Sequence, residues 1–202
     1  MMRKNDSGVA QRTVVIIIAV LVIIGLAVFG YFQTKNKALK EVQDTDSYKI
    51  YNYKYSINTN FAIRVPGVFA DNTKNYLAGP GIEKMAFLGC DYAAVAVGRS
   101  SIGGVSEENA DDVEKLVNDV LANMQFEGQK VEPKKNGDFT IFSFSSDNVK
   151  VLKDKNKKAY VMIGYMFDGS HLYEVTAWCY DEYKEDFEEY MEKWITSFYL
   201  FK

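Results

Sequence analysis

Residues 159–198, AYVMIGYMFDGSHLYEVTAWCYDEYKEDFEEYMEKWITSF, hold two long strand-like runs, a tight turn and an amphipathic helix in direct succession. Ala159–Phe167 and Leu172–Tyr180 are rich in β-branched and aromatic residues, and Asp168-Gly169 between them supplies the positive φ that a short hairpin needs. Asp181 then stands at a helix N-cap position. Beyond it Tyr183, Phe187, Tyr190, Met191, Trp194 and Phe198 recur at helical spacing, with Glu182, Glu185, Glu189 and Glu192 mainly opposite. Large aromatics bury about 150–250 Å² each. The stripe therefore predicts a helix clamped on the hairpin's sheet.

Working back from this hairpin, turn signals at Asn136-Gly137 and at the lysine-rich Asp154–Lys157 predict a meander with further strands at Phe139–Phe144 and Val149–Lys153. Before the meander the apolar period is helical. Ala110, Val113, Leu116, Val117, Val120, Leu121 and Met124 form one stripe, Ser106 is placed to cap it, and Gly128 lies past its end. This helix is expected to pack one face on the sheet. Further back, Glu83–Cys90 and Tyr92–Arg99 read as strands. Residues 67–82, punctuated by Gly67, Asn72, Asn75, Gly79, Pro80 and Gly81, read as a long irregular loop with one short helical turn. Long loops are the default place for function.

The first strands of the domain alternate strictly. Tyr51, Tyr53, Tyr55 and Ile57 share one face and Asn52, Lys54 and Ser56 the other; Phe61, Ile63 and Val65 then point inward until Pro66-Gly67. The pair reads as a hairpin. Strands, a helix, an antiparallel run and a closing helix give an α+β domain with an antiparallel sheet packed by two amphipathic helices.

Ahead of the domain, Thr13–Phe32 (TVVIIIAVLVIIGLAVFGYF) has no charge and no proline over 20 residues. At about 1.5 Å per residue it reaches about 30 Å, the thickness of a bilayer's hydrocarbon core. The organisation expected is a cytoplasmic tail at 1–12, a transmembrane anchor at 13–32, a linker at 33–47 and a folded domain at 48–202. The run exceeds a normal signal-peptide core, and no small-x-small cleavage site follows it, so a single-pass signal anchor is favoured over a cleaved leader. Arg3, Lys4 and Arg12 on one side match Lys35, Lys37 and Lys40 on the other. The positive-inside count is thus a tie, broken toward an extracytoplasmic domain by the shortness of the tail and its free amino terminus.

The chain carries 24 basic and 27 acidic residues, of which residues 1–47 hold 6 and 4, leaving 18 against 23 and a net charge of −5 for the domain. An acidic domain repels phosphate backbones, which argues against nucleic acid as a partner. The two cysteines, Cys90 and Cys179, make no metal motif, and the sequence leaves open whether they pair. His171, the single histidine, lies beside the Asp168-Gly169 turn and reads as a solvated turn residue rather than an acid–base catalyst. Neither G-x-S-x-G nor H-E-x-x-H occurs, and Gly79-Pro80-Gly81 and Gly103-Gly104 lack the lysine of a phosphate loop.

Glu107, Glu108, Asp111, Asp112 and Glu114 suit the positive end of a helix dipole better than a cation site. Lys150, Lys153, Lys155, Lys157 and Lys158, with Lys134 and Lys135, read as a solvated turn rather than a site for anionic polymers or headgroups. No catalytic, cofactor-binding or metal-ligating residue is assigned, and no cofactor is expected. Fourteen tyrosines make Tyr160, Met162, Met166 and Trp178 candidates either for a second covering layer, from residues 67–82, or for a partner surface.

The strand end FAIRVPGVF at 61–69, the helix after a small-residue strand, and the ending from Tyr160 to Phe198 resemble the PsbP-like (Mog-like) α/β/α sandwich, named after the photosystem II extrinsic protein and a Ran-binding protein. The resemblance covers residues 48–202. It implies a non-enzymatic accessory or binding domain, and no ligand residue carries over from it. The expected function is a membrane-anchored extracytoplasmic accessory or binding module acting through an envelope protein partner. The alternatives are a cell-surface carbohydrate-binding domain with tyrosine platforms, a pilin-like surface subunit, and an enzyme built on a pocket joining His171 to acids or a serine.

Overall fold

The structure, a computed structural model, describes residues 30–54, 60–79, 81–103 and 109–201. The chain forms two compact units, residues 1–40 and 41–202. Of the first, residues 30–40 are helical, part of a helix, α1, over residues 30–43. The body of the expected anchor, residues 13–29, lies outside the described residues. Among those described, no helix is long and apolar enough to cross a membrane.

The second unit is α+β, with every strand pair antiparallel. Its strands are β1 (Lys49–Lys54), β2 (Asn60–Val65), β3 (Ala70–Asp71), β4 (Glu83–Gly89), β5 (Ala93–Ser101), β6 (Gln125–Phe126), β7 (Gln129–Lys130), β8 (Lys134–Asn136), β9 (Phe139–Ser146), β10 (Ala159–Phe167), β11 (His171–Tyr180) and β12 (Tyr199–Phe201), with helices α2 (Ala110–Ala122) and α3 (Lys184–Thr196). A seven-stranded sheet runs β3-β4-β5-β11-β10-β9-β8, a three-stranded sheet β1-β2-β12, and β6-β7 form a separate hairpin.

Register divides the large sheet into two faces. Tyr160, Met162 and Gly164 stand in rows with Cys179, Ala177 and Val175 and then with Ala93, Val95 and Val97. This face receives α3. A Cβ at Gly164 would collide with Ile195 and come within 3.0 Å of Phe139, so only glycine lets the helix approach this closely. Phe187, Met191 and Trp194 are buried along α3, as the stripe predicts, whereas Tyr190 of the stripe is half-buried and Ile195, outside it, is buried. Trp194 packs edge-on to Phe69 and donates from Nε1 to the Tyr48 hydroxyl at 3.0 Å. Tyr48 in turn donates to the carbonyl of Val42 at 2.7 Å. Val42 is fully buried, so residues 41–47 of the segment read as linker fall within the compact unit.

The helix start differs from expectation. Asp181 opens a 3₁₀ turn, Asp181–Tyr183, and α3 begins only at Lys184, with no side-chain cap. The Asp181 carboxylate is taken by the Ser145 hydroxyl, across on β9. Val149–Lys153 is not a strand. β9 and β10 pair directly, Thr140–Ser146 against Ala159–Tyr165, which leaves no neighbour position for a strand between them. The segment's backbone is satisfied elsewhere: Lys153 N–H donates to the Asp91 carbonyl and Asp154 N–H to the Tyr180 hydroxyl, while Leu152 is buried.

The stripe of α2 is only half used, with Val117 and Leu121 buried but Leu116 and Val120 61% and 56% exposed. Its expected cap, Ser106, lies outside the described residues. β12 was not legible as a strand, being three residues that close the small sheet against β2.

The clamp has a direct test in the melting of the full-length chain. Trp194→Ala should cost about 3–5 kcal/mol, as for large aromatics removed from a core. Glu189→Ala removes only an exposed pair with Lys193 and should cost under about 0.5 kcal/mol. Similar small losses from both would show that α3 is peripheral.

Candidate functional site

The face of the sheet away from α3 carries Val161, Ile163 and Tyr165 of β10, Glu174, Thr176 and Trp178 of β11, and Ala94, Ala96 and Gly98 of β5. The irregular stretch read as the functional loop lies over it. Tyr76 stacks on Phe87 at 4.6 Å between ring centres, and both rings lie near Trp178, at 6.4 and 6.3 Å. Lys84 Nζ donates to the Tyr76 carbonyl at 2.9 Å and the Ser100 hydroxyl to the Gly81 carbonyl at 3.1 Å. Gly98 has no side chain because Ile82 occupies that space. The expected second layer is thus real but narrow: Trp178 is covered by the loop, whereas Tyr160 and Met162 are buried on the α3 face.

Under the loop a recess of about 30 Å³ is lined by Tyr76, Ala78, Gly79, Ile82, Gly98 and Glu174. Organic ligands fill clefts of about 300–1,000 Å³, so this one admits only a small group. Glu174 is its one acidic wall. Burial pushes its carboxyl above the ordinary range, and hydrogen bonds from Thr176, at 3.0 Å, and Tyr165 only partly offset that. No ion pair reaches Glu174 among the described residues. Sequence reasoning passed this residue over. The available signal was a single acid within the otherwise uncharged, largely apolar run Leu172–Tyr180.

The Asp168–His171 turn does gather a serine, an acid and the histidine. Asp168 Oδ1 accepts the backbone N–H groups of Ser170 and His171 at 2.9 and 2.8 Å and the Ser170 hydroxyl at 3.1 Å; that hydroxyl lies 2.8 Å from His171 Nδ1. In a hydrolytic triad the imidazole stands between carboxylate and hydroxyl. Here the hydroxyl stands between the other two, and His171 Nδ1 is 3.8 Å from Asp168. Burial alone would raise the Asp168 carboxyl, but the backbone amides of His171 and Ser170, with the Tyr173 hydroxyl, bring it below its usual range. The arrangement is a locked turn.

Other sequence candidates are spent on structure. Lys153 pairs with Asp91 at 2.5 Å, Lys157 with Glu182 at 2.6 Å, and Lys134 with Glu192 at 2.7 Å, while Lys150 donates to the Asp147 and Lys155 carbonyls. Asp111, Asp112 and Glu114 lie on α2, the first two in its first turn; Glu107 and Glu108 lie outside the described residues. Among the described residues no group of three or more His, Cys, Asp or Glu side chains could hold a metal ion. Cys90 and Cys179 are both free. The Cys90 amide bonds Ala93, which itself pairs with Cys179, so the cysteines flank Ala93 two strand spacings apart, roughly 9–10 Å. A disulfide needs Cα atoms within about 7 Å. Burial pushes both thiols up.

As for tyrosine platforms, Tyr51 and Tyr53 stack at 6.5 Å, but both are half-buried and their hydroxyls are held by the Phe69 carbonyl and Asp71. Tyr199 is exposed, with Phe201 tilted 59° to it.

No protein-family model matches the chain, and no curated protein matches it. Solved structures similar to it include a protein of Bacteroides thetaiotaomicron VPI-5482 (TM-score 0.42, 13% identity, 77% of this chain and 49% of that one). They also include the cyanobacterial PsbP, CyanoP, of Synechocystis sp. PCC 6803 (TM-score 0.43, 12% identity, 77% and 93%). A third is LpqN, described as involved in cell envelope biogenesis of Mycobacterium tuberculosis (TM-score 0.42, 9% identity, 77% and 92%). The chain spans about half the length of the Bacteroides protein. The PsbP resemblance read from the sequence thus recurs among the structural neighbours.

The Glu174 carboxyl makes stability depend on pH with a definite sign. A carboxyl harder to ionise when folded gives stability that is full below its unfolded value, 4.5, and lost as pH rises through the raised folded value. Glu174→Gln should therefore melt higher than the parent at about pH 7.5, with the gap closing by about pH 4. An equal offset at both values would contradict the assignment.

Proposed function

We propose that the chain is an accessory or binding domain held at a cell membrane by residues 13–32, with its folded unit outside the cytoplasm, and that it works through protein contacts rather than catalysis. The anchor rests on the uncharged, proline-free run Thr13–Phe32. The non-catalytic reading rests on one observation above the rest: the serine, acid and histidine that meet at Asp168–His171 are consumed in fixing a turn, with the hydroxyl in the wrong place for a relay. Lys134, Lys153 and Lys157 are likewise engaged, each with an acid that ties one part of the fold to another. A carbohydrate platform finds less support, since the stacked pair Tyr51 and Tyr53 is half-buried and bonded.

Two measurements test the proposal. In intact cells stripped of their wall, added protease should digest the folded unit while leaving a cytoplasmic marker whole; resistance until lysis would reverse the orientation. Amine-reactive cross-linking in the same cells should yield a discrete larger species containing this chain. If only the monomer is recovered, or if a hydrolytic activity is found that His171→Ala abolishes, the proposal fails.

A further inference from the structure

Glu174 is a half-buried carboxylate at the centre of the large sheet whose partners among the described residues are all neutral. Every element packed around it can be named. Thr176 on its own strand and Tyr165 on β10 donate to it, and Tyr76 lines the same recess, its phenol pushed up mainly by burial and further by the Glu174 carboxylate. On β5 its row neighbour is Gly98, which has no side chain; beyond that, on β4, stands Lys84. That lysine is the nearest cation in register, two strand spacings away, but its Nζ is engaged by the Tyr76 carbonyl and Ile82 fills the space over Gly98 between them. The result is an acid with a small empty volume beside it rather than a cation.

Three constraints fix what that volume can take. Its size, about 30 Å³, holds about two water-sized groups, enough for an ammonium and the carbon it is attached to but not for a guanidinium fork. Its charge is a single carboxylate, whereas divalent cations take about six or more oxygen ligands and several formal charges. Its walls on the loop side are the small residues Ala78 and Gly79, which let a narrow chain enter. A desolvated carboxylate without a counter-charge gains far more from a paired donor than a surface one does.

We propose that this recess binds a primary ammonium group, as carried by a lysine side chain or a free amino terminus, and that it is the point at which the protein partner of the folded unit is held. Its part in holding a partner rests on the protein-contact reading of the function; the ammonium site itself does not. A bound ammonium and a proton compete for the same carboxylate, so occupancy rises with pH. The loop that walls the recess is held by the Tyr76–Phe87 stack and the Ser100–Gly81 bond, so the recess is formed before the ligand arrives.

The test uses the full-length chain in detergent, labelled for NMR, with methylammonium chloride as the probe and sodium chloride at equal ionic strength as the control. Methylammonium should shift the amides of Gly79 and Gly98 saturably and lower the titration midpoint of the Glu174 carboxyl, while sodium does neither. N-acetyl-lysine methylamide and a lysine-free peptide with a free amino terminus then distinguish the two sources of the group. Glu174→Gln should weaken binding by about tenfold or more, with the fold retained as judged by the other amide positions. Shifts equal to those from sodium, or unchanged in Glu174→Gln, would overturn the site. Should methylammonium bind while the cross-linked species in cells persists undiminished in Glu174→Gln, the ammonium site stands and its role in holding the partner is refuted.

Discussion

The second unit depends on how closely α3 can lie on the seven-stranded sheet. Ile195 occupies the space that a side chain at residue 164 would need, and Trp194, fully buried, reaches past it to Phe69 and Tyr48. These contacts join parts of the chain far apart in sequence: β10, the segment before β1, and the turn after β2. Phe198 extends the same seam, with its ring near Phe61, Phe139 and Tyr173. One helix thereby ties the small sheet to the large one. Because the stabilisation from burying such rings is roughly proportional to the apolar area removed from water, this seam contributes heavily to the stability of the second unit.

With the α3 face devoted to packing, ligand chemistry is left to the opposite face, where cover comes from a loop instead of a helix. A loop carrying two glycines near its end lies lower on the sheet than a helix would, and it seals Trp178 while leaving a small recess at Glu174. The acid is tolerated there only because hydroxyls of Thr176 and Tyr165 replace part of its lost hydration. Such an arrangement costs stability at neutral pH. It makes sense as a site awaiting a positive group, in contrast with Asp168, whose carboxylate is taken up by the amides of its own turn and the hydroxyls of Ser170 and Tyr173.

Much of this was legible from residues alone, because hydrophobic period is a local property. The hairpin Ala159–Tyr180, most of the aromatic stripe of α3, the pairing of β1 with β2 and the antiparallel α+β class follow from spacing, whereas Ala62, buried between Phe61 and Ile63, breaks the alternation expected of β2, and Tyr55 and Ile57 lie outside the described residues. What failed were inferences about competition. Asp181 has the chemistry of a cap but is nearer a better partner in Ser145, and Val149–Lys153 has the composition of a strand but no free edge beside β9 or β10. The half-exposed stripe of α2 is a failure of the same kind, since an amphipathic pattern does not state how much surface is available to cover it. Glu174 escaped notice because its meaning comes from a loop some 95 residues earlier in sequence, which only the fold brings to it.

If α3 and the central strands form one cooperative core with α2 outside it, native-state hydrogen exchange on the full-length chain will show it most directly. Amides of Phe187–Ile195 should exchange only by global opening, with the same free energy as those of β10 and β11, while those of α2 open earlier. Exchange of the α3 amides at the level of α2, with β10 and β11 still protected, would make the helix an attachment to the sheet and contradict the single core.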